Sequence, residues 1–381
     1  MKTCECAPVT WEGRHGYCIR NGHVKAVVLT SGGAIVDFRL CDSSTNMLWE
    51  APWPTIDPHT FDASRDERTY GSRPIGPMLA GCTGHVVAAG YFGMPPADRP
   101  DLPIHGEAAC SLWTVDSVHA NESAAELTMS VAMPVTGLHL ERRVRLCKGA
   151  SSLSIQERLR NTTDKEVAFQ WVQHTMFGAP LFTGPHARLS LPAAQCITWP
   201  LGYEGHAVLE DNTEFAWPLA PSINGEQIDL SHPFVQPRSG FVASVLLRSD
   251  IEAFAAISNT QLGLLAGYAF NRETYPWVAL WEENCARTQS PWLGKTQVRG
   301  VEFGNSPMPL GLLQAKQQGT LFGIPTFRTL EPFSDSATEY ILFATRTESD
   351  QMAVTRIART AGMLEIHFTT RATKHIVVSP E

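Results

Sequence analysis

The chain of 381 residues carries a formal net charge of −8 and has no cluster of lysine and arginine residues. Nucleic acid and anionic membrane surfaces are therefore not expected as partners, because both require a basic surface. Hydrophobic residues make up 43% of the chain and charged residues 18%, which is typical of a globular protein and argues against disorder. The 29 glycines and 26 prolines favour many turns and few long helices.

The first 17 residues lack the apolar stretch of a signal peptide, and no segment approaches the roughly 20 apolar residues of a membrane-spanning helix. We therefore expect a cytoplasmic protein. The nine cysteines are irregularly spaced, so we expect most of them to be buried, reduced thiols rather than metal ligands.

The hydrophobic pattern has a period of two residues over much of the chain. Apolar side chains alternate through 127–135, 138–146 and 153–159, which predicts strands with one buried face. The segment Lys148–Ser151 is predicted to be a hairpin turn. Further strands are predicted at 25–29, 34–40, 166–173, 186–191, 242–248, 262–269, 276–281, 297–303, 339–346 and 364–369.

This pattern predicts one all-β domain spanning residues 1–381. Three irregular segments interrupt it, at 50–78, 90–105 and 286–296. Long ordered loops in a compact β domain are usually functional, although insertions that cover sheet edges are the alternative.

Two histidines and one glutamate are candidates for proton transfer. His105 follows a proline-rich loop, and His174 ends an apolar strand in which alternation places Gln173 on the opposite face. Glu302 lies within a hydrophobic strand on the same face as two glycines, where burial would raise its pKa toward that of a useful general base. The alternatives are a loop histidine at the surface, a core histidine, and a glutamate paired with Arg299.

Aromatic residues are concentrated in one short region of the chain. Trp277 and Trp281 share one face of a strand, with Tyr275 and Trp292 nearby. Indole rings stack on the C–H faces of sugars, but they are also common in cores.

The order of these features resembles the aldose 1-epimerase (galactose mutarotase) superfamily. A His-Gly pair follows a loop, a strand leads into Arg160-Asn161, another strand ends at His174 with Phe-Gly three residues later, and a glutamate follows inside a strand. The resemblance is compatible with residues 20–345 and is best at 150–180. It implies a β-supersandwich, with two large, mostly antiparallel sheets and a shallow sugar groove.

The resemblance also implies roles for individual residues. Glu302 would be the general base, His174 the general acid, and His105 a ligand of the sugar near its ring oxygen and C1. Arg73, Asp229, Trp277 and Trp281 are expected to bind substrate. The small-molecule partner would be a sugar, with no cofactor and no metal required, and the protein would be a monomer or homodimer.

The sequence departs from the family pattern at three points. The aspartate that usually binds the sugar hydroxyls has no clear counterpart, and Asp229 is only a candidate for it. The segment around Arg73 has no asparagine, and His105 is followed by Gly-Glu rather than by two glycines. We therefore expect a divergent member that acts on a sugar other than plain glucose or galactose.

Three other functions remain open. A non-catalytic carbohydrate-binding protein on the same fold is the main alternative, because a fold does not determine a function. An unrelated structural sandwich would leave His105, His174 and Glu302 far apart. Glycoside hydrolysis would need Glu302 paired with Glu282 or Glu283.

Overall fold

The computed structural model describes residues 4–233, 236–360 and 362–378. Strands dominate this part of the chain, and its α-helices are short. The helices are α1 (Ala63–Tyr70), α2 (Gly76–Gly81) and α3 (Leu312–Gln318). No helix in the described ranges is long and apolar enough to cross a membrane.

The strands of the first half of the chain are β1 (Glu5–Trp11), β2 (Arg14–Arg20), β3 (Val24–Leu29), β4 (Ile35–Leu40), β5 (His85–Gly90), β6 (Thr114–Ala120), β7 (Ala124–Met133), β8 (Leu138–Cys147), β9 (Ser152–Asn161), β10 (Val167–Phe177), β11 (Ala187–Ser190) and β12 (Ala193–Thr198). The remaining strands are β13 (Glu214–Phe215), β14 (Leu219–Pro221), β15 (Gln227–Asp229), β16 (Ser239–Leu247), β17 (Ala253–Asn259), β18 (Leu264–Phe270), β19 (Trp277–Asn284), β20 (Gln297–Gly304), β21 (Thr320–Leu321), β22 (Ile324–Pro325), β23 (Arg328–Leu330), β24 (Asp335–Arg346), β25 (Val354–Thr360), β26 (Met363–Phe368) and β27 (Thr373–Val377).

The larger sheet has twelve strands, in the order β1-β2-β3-β4-β5-β10-β20-β19-β16-β12-β13, with β23 also paired to β10. Strand β10 lies near its centre, antiparallel to both β5 and β20. The second sheet has eight strands, in the order β11-β17-β18-β24-β9-β8-β7-β6. The prediction of two large antiparallel sheets is confirmed.

The main hydrophobic core lies between these sheets. Alternation directs Trp171 and Phe303 of the larger sheet, and Ile155 and Tyr268 of the smaller one, into the same core cluster, and each is at most 1% exposed. Burial of apolar surface on this scale is the dominant favourable term in folding. The other face of the larger sheet is therefore the face on which a site can form.

The C-terminal strands β25, β26 and β27 form a third sheet. It covers the outer face of the eight-stranded sheet, where Ile357 and Ile366 join a buried cluster with Phe254 and Phe343. The sequence did not predict this layer, although it did predict the strand at 364–369.

Each predicted strand overlaps a strand of the structure, and the predicted turn at Lys148–Ser151 joins β8 to β9. Helices α1 and α2 were not predicted and lie largely within the segment 50–78. All nine cysteines are free, but only Cys4, Cys82 and Cys196 are buried. The prediction that most cysteines are buried is therefore wrong.

A buried polar network lies within the core. Arg142 and Glu157 form an ion pair at 2.6 Å, with both side chains fully buried. Gln173 donates to Glu157 at 2.6 Å and is also bonded to His85, while Tyr340 donates to Glu157. Buried charges are tolerated only when they are paired and hydrogen-bonded in this way.

Candidate active site

His174 and Glu302 meet on the outer face of the larger sheet. Strands β10 and β20 pair so that Gln173 lies opposite Phe303, which places His174 and Glu302 on the other face from those two residues. Nε2 of His174 lies 3.2 Å from Oε1 of Glu302. The predicted alternation of both strands is confirmed, since Gln173 points into the core network instead.

Glycine makes room for the Glu302 carboxylate. A Cβ atom at Gly300 would lie 2.5 Å from Oε1 of Glu302 and 3.2 Å from the ring of Trp281. A side chain at this position would therefore occupy the space that the carboxylate and the indole share.

Burial shifts the pKa values of both groups toward their neutral forms. It raises the pKa of Glu302 to about 8, and it lowers the pKa of His174 to about 4, against a smaller opposing effect of the residue's own backbone carbonyl. At neutral pH the pair therefore has a single proton between the carboxylate and the facing ring nitrogen. Nδ1 of His174 is buried and lacks a hydrogen-bond partner among the described residues.

His105 approaches this pair from the loop before β6. Its ring centre lies 5.1 Å from that of His174. The backbone of His105 has φ +68°, a conformation that is uncommon for residues other than glycine. Gly106 follows with φ +91°, and a Cβ atom there would lie 2.1 Å from the carbonyl oxygen of Ala89. The chain thus requires glycine immediately after the histidine.

Glu107 fixes the same loop to the turn between β7 and β8. Its carboxylate accepts hydrogen bonds from the backbone amides of Val135 and Thr136 at 3.2 and 3.0 Å. Glu107 therefore holds the loop in place, and it lies outside the cavity lining.

The two histidines line a cavity of about 350 Å³. The three irregular segments of the sequence all contribute to its walls: Ile75 and Met78 from the first, Ile104 from the second and Trp292 from the third. Glu302 is 2% exposed and does not line the cavity. It contacts His174, which does line the cavity.

Aromatic side chains form one side of this cavity. The ring centre of Trp281 lies 6.2 Å from that of His174. The ring of Trp292 packs edge-on to the ring of Trp281, with 6.1 Å between their centres. Nε1 of Trp281 donates to the hydroxyl of Tyr203, which fixes the orientation of the indole. Trp281 therefore presents its ring to the cavity.

Three predicted ligands lie elsewhere. Trp277 lies on β19, four residues before Trp281, where it is fully buried and packs on Phe322. Asp229 bonds Ser231 and His232 near a different small cleft. Arg73 is exposed and donates to the carbonyl of Asp101, outside the cavity lining. Alternation identifies a strand face but not a position along the strand, which explains why Trp277 shares a face with Trp281 but does not reach the cavity.

The other glutamates in this region have separate partners. Glu282 is bound by Arg299 in the interior, so Arg299 does not pair with Glu302. Glu283 accepts hydrogen bonds from the amide of Ala286 and from the hydroxyl of Tyr203. Neither carboxylate faces the cavity, and the pairing required for glycoside hydrolysis is not present among these residues.

Sequence reasoning missed Arg287 at the cavity rim. Its guanidinium lies over the rings of Tyr203 and Trp292 and makes two hydrogen bonds of 3.0 Å to Glu204. The proximity of Arg287 to the aromatic cluster was the only available signal, because Tyr203 and Glu204 lie more than 80 residues earlier in the chain. Within the described ranges, no group of three or more histidine, cysteine, aspartate or glutamate side chains is arranged to hold a metal ion.

No family model and no curated protein matches this sequence. Solved structures do match its fold. One from Klebsiella pneumoniae, provisionally described as an aldose 1-epimerase, has a TM-score of 0.62 and 17% identity, covering 88% of this chain and 80% of its own. A galactose mutarotase-like protein from Clostridium acetobutylicum has a TM-score of 0.60 and 13% identity, covering 91% and 99%.

A galactose mutarotase related enzyme from Lactobacillus acidophilus gives a TM-score of 0.53 with 15% identity, covering 87% of this chain and 98% of its own. At these identities the likeness shows the fold alone. The chain has the galactose mutarotase-like β-sandwich fold that its sequence predicted.

Proposed function

We propose that this protein is an aldose 1-epimerase that interconverts the α and β anomers of a sugar. The observation that carries the proposal is the contact between His174 and Glu302, at 3.2 Å, at the floor of a cavity that His105 also lines. A structural sandwich has no need for two histidines and a carboxylate, all buried, to converge at one point.

Each group has a chemical role in ring opening. Glu302 accepts the proton of the C1 hydroxyl while His174 donates a proton to the ring oxygen, so the bond between C1 and that oxygen breaks and a C1 carbonyl forms. After rotation about C1–C2, the two transfers run in reverse on the other face of the carbonyl. His105 binds the sugar near C1, and no cofactor takes part in these steps.

The position of Glu302 sets a condition on this chemistry. Because the carboxylate lies outside the cavity lining, the sugar reaches it only by replacing the contact between Glu302 and His174. At neutral pH the carboxyl of Glu302 holds the shared proton, so the reactive form arises when this proton passes to Nε2 of His174 as the sugar replaces the contact. The raised pKa makes the resulting carboxylate a stronger base than an ordinary glutamate, and a positioned acid or base of this kind contributes about 10²–10⁴-fold to a rate.

Saturation-transfer NMR across a panel of aldoses tests this function directly. Exchange between anomers above the spontaneous rate is expected for the wild type and for Glu122→Gln, a control at an exposed turn. Exchange is expected to fall to the spontaneous rate for Glu302→Gln. Binding without acceleration of any sugar would instead support a non-catalytic carbohydrate-binding protein.

A further inference from the structure

We infer that the cavity selects an uncharged deoxy sugar with a free C1 hydroxyl, in which a C–H or methyl surface replaces one of the usual hydroxyls. This inference rests on the proposed function and specifies its substrate class. It follows from where the polar groups of the cavity lie and from how its charges are already paired.

The walls between the floor and the mouth of the cavity are apolar. Ile75, Met78 and Leu79 line one side, and the indoles of Trp281 and Trp292 line another. A fully hydroxylated hexose bound here would lose hydrogen bonds to water without replacing them, whereas a methyl group would gain contact with these side chains.

Three hydrogen-bonding groups of the walls already have protein partners. The hydroxyl of Tyr70 donates to the carbonyl of Pro54, and that of Ser290 donates to the carbonyl of Thr69. Nε1 of Trp281 is bonded to Tyr203. Ser72 and Gln289 also line the cavity, but both are exposed and therefore lie toward solvent at its mouth. Deeper in the cavity, the polar groups left for a ligand lie at the floor, on His105 and His174, and these face the reacting end of the sugar.

The single arginine of the lining is neutralised by its own neighbours. Arg287 is bound by Glu204 through two hydrogen bonds of 3.0 Å and lies 3.2 Å from the carboxylate of Glu283. This hydrogen bonding lowers the pKa of Glu204, which stays ionised at neutral pH. A phosphate or carboxylate on the sugar would therefore meet a guanidinium whose charge is already compensated by Glu204, which lines the cavity, and by Glu283 behind it, so anionic sugars are disfavoured.

Matched sugars test the inference. Anomer exchange would be measured for 6-deoxyglucose, glucose and glucose 6-phosphate, and for the corresponding galactose series. We expect kcat/KM for each deoxy sugar to exceed that of its parent hexose by about tenfold or more, and we expect no acceleration for the phosphates. A parent hexose that is turned over equally well, or an accelerated phosphate, would overturn the deoxy-sugar inference while leaving the epimerase proposal intact.

If no sugar is accelerated, the epimerase proposal fails. Binding of the same six sugars, measured by chemical-shift changes of the protein, then tests the deoxy-sugar inference separately. Tighter binding of the deoxy sugars would support an apolar ligand site, and equal or absent binding would overturn it.

Met78→Gln places an amide in the wall and is expected to reduce the preference for the deoxy sugar several-fold. Leu313→Gln, at a 58% exposed position of α3, is the matched control and should leave that preference unchanged.

Discussion

Nδ1 of His105 accepts a hydrogen bond from the backbone amide of Gly93, with 3.1 Å between the two nitrogens. The amide of His105 in turn donates to the carbonyl of Gly93 at 2.9 Å. Burial also lowers the pKa of His105 well below its usual value, so the ring is neutral and its proton lies on Nε2. That nitrogen is the one left to donate to a ligand.

His105→Asn should separate this role from folding. Asparagine tolerates a positive φ and can place its amide oxygen near the position of Nδ1, so the loop is expected to keep its conformation. We expect an unchanged melting temperature and a loss of anomer exchange of about 10²-fold. His119→Asn, on the exposed face of β6, is the control. Retained exchange in His105→Asn would show that the ring does not contact the sugar.

The raised pKa of Glu302 should appear in the pH dependence of stability. The folded state keeps a proton on this carboxyl up to about pH 8, whereas the unfolded chain releases it near pH 4.5. The free energy of unfolding should therefore fall as pH rises through this window, by at most about 1.4 kcal/mol per pH unit. The lowered pKa of His174 has the opposite effect, because it makes the free energy of unfolding rise with pH between about pH 4 and 6.5.

Between pH 6.5 and 8 only the effect of Glu302 remains from this pair. Urea denaturation of the wild type over this range should show decreasing stability, while Glu302→Gln should lose this dependence. Parallel curves for the two proteins would mean that the carboxylate is already ionised below pH 6.5.

Two glycines of β20 should respond differently to substitution by alanine. At Gly300 the added methyl meets the end of the Glu302 side chain, which can move, so we expect lost exchange activity with a small loss of stability. At Gly304 the methyl would lie 2.5 Å from a side-chain carbon of Val172 and 2.8 Å from the carbonyl oxygen of Trp171. Overpacking of this kind typically costs about 1–3 kcal/mol.

Circular dichroism in urea and anomer exchange, measured on both alanine variants, would distinguish these outcomes. Full activity in Gly300→Ala would show that the position of Glu302 beside the glycine is unimportant for catalysis.

The ion pair in the core should be costly to break from one side. Glu157→Gln leaves the guanidinium of Arg142 buried without its carboxylate, and such a change costs about 3–5 kcal/mol. Removing both charges, in Glu157→Gln with Arg142→Met, should recover part of that loss. Urea denaturation of the two single variants and the double variant measures this coupling, and additive losses would contradict it.

The faces of the site strands could be predicted from sequence because the side-chain period of a strand is two. Gln173 and His174 are adjacent, yet one enters the core network and the other the cavity floor, as the alternation of β10 required. The same reasoning placed Glu302 beside Gly300.

Positions along a strand and contacts between distant segments could not be predicted in this way. Trp277 and Trp281 share a face, but they are separated by about 13 Å along β19, so only Trp281 reaches the cavity. Arg287 follows β19 and Glu204 follows β12, two strands that β16 separates in the sheet, and nothing in either local segment indicates their contact. Helix α2 was missed because its six residues are too few to show a helical period.

The third sheet has a consequence for biosynthesis. The apolar outer face that includes Phe254 and Phe343 is covered by strands β25, β26 and β27, and these strands leave the ribosome after both large sheets have been translated. Until they emerge, the nascent chain carries an exposed apolar surface of the kind that chaperones bind and that promotes aggregation. Maturation of the protein therefore waits for a segment that contributes no residue to the cavity lining.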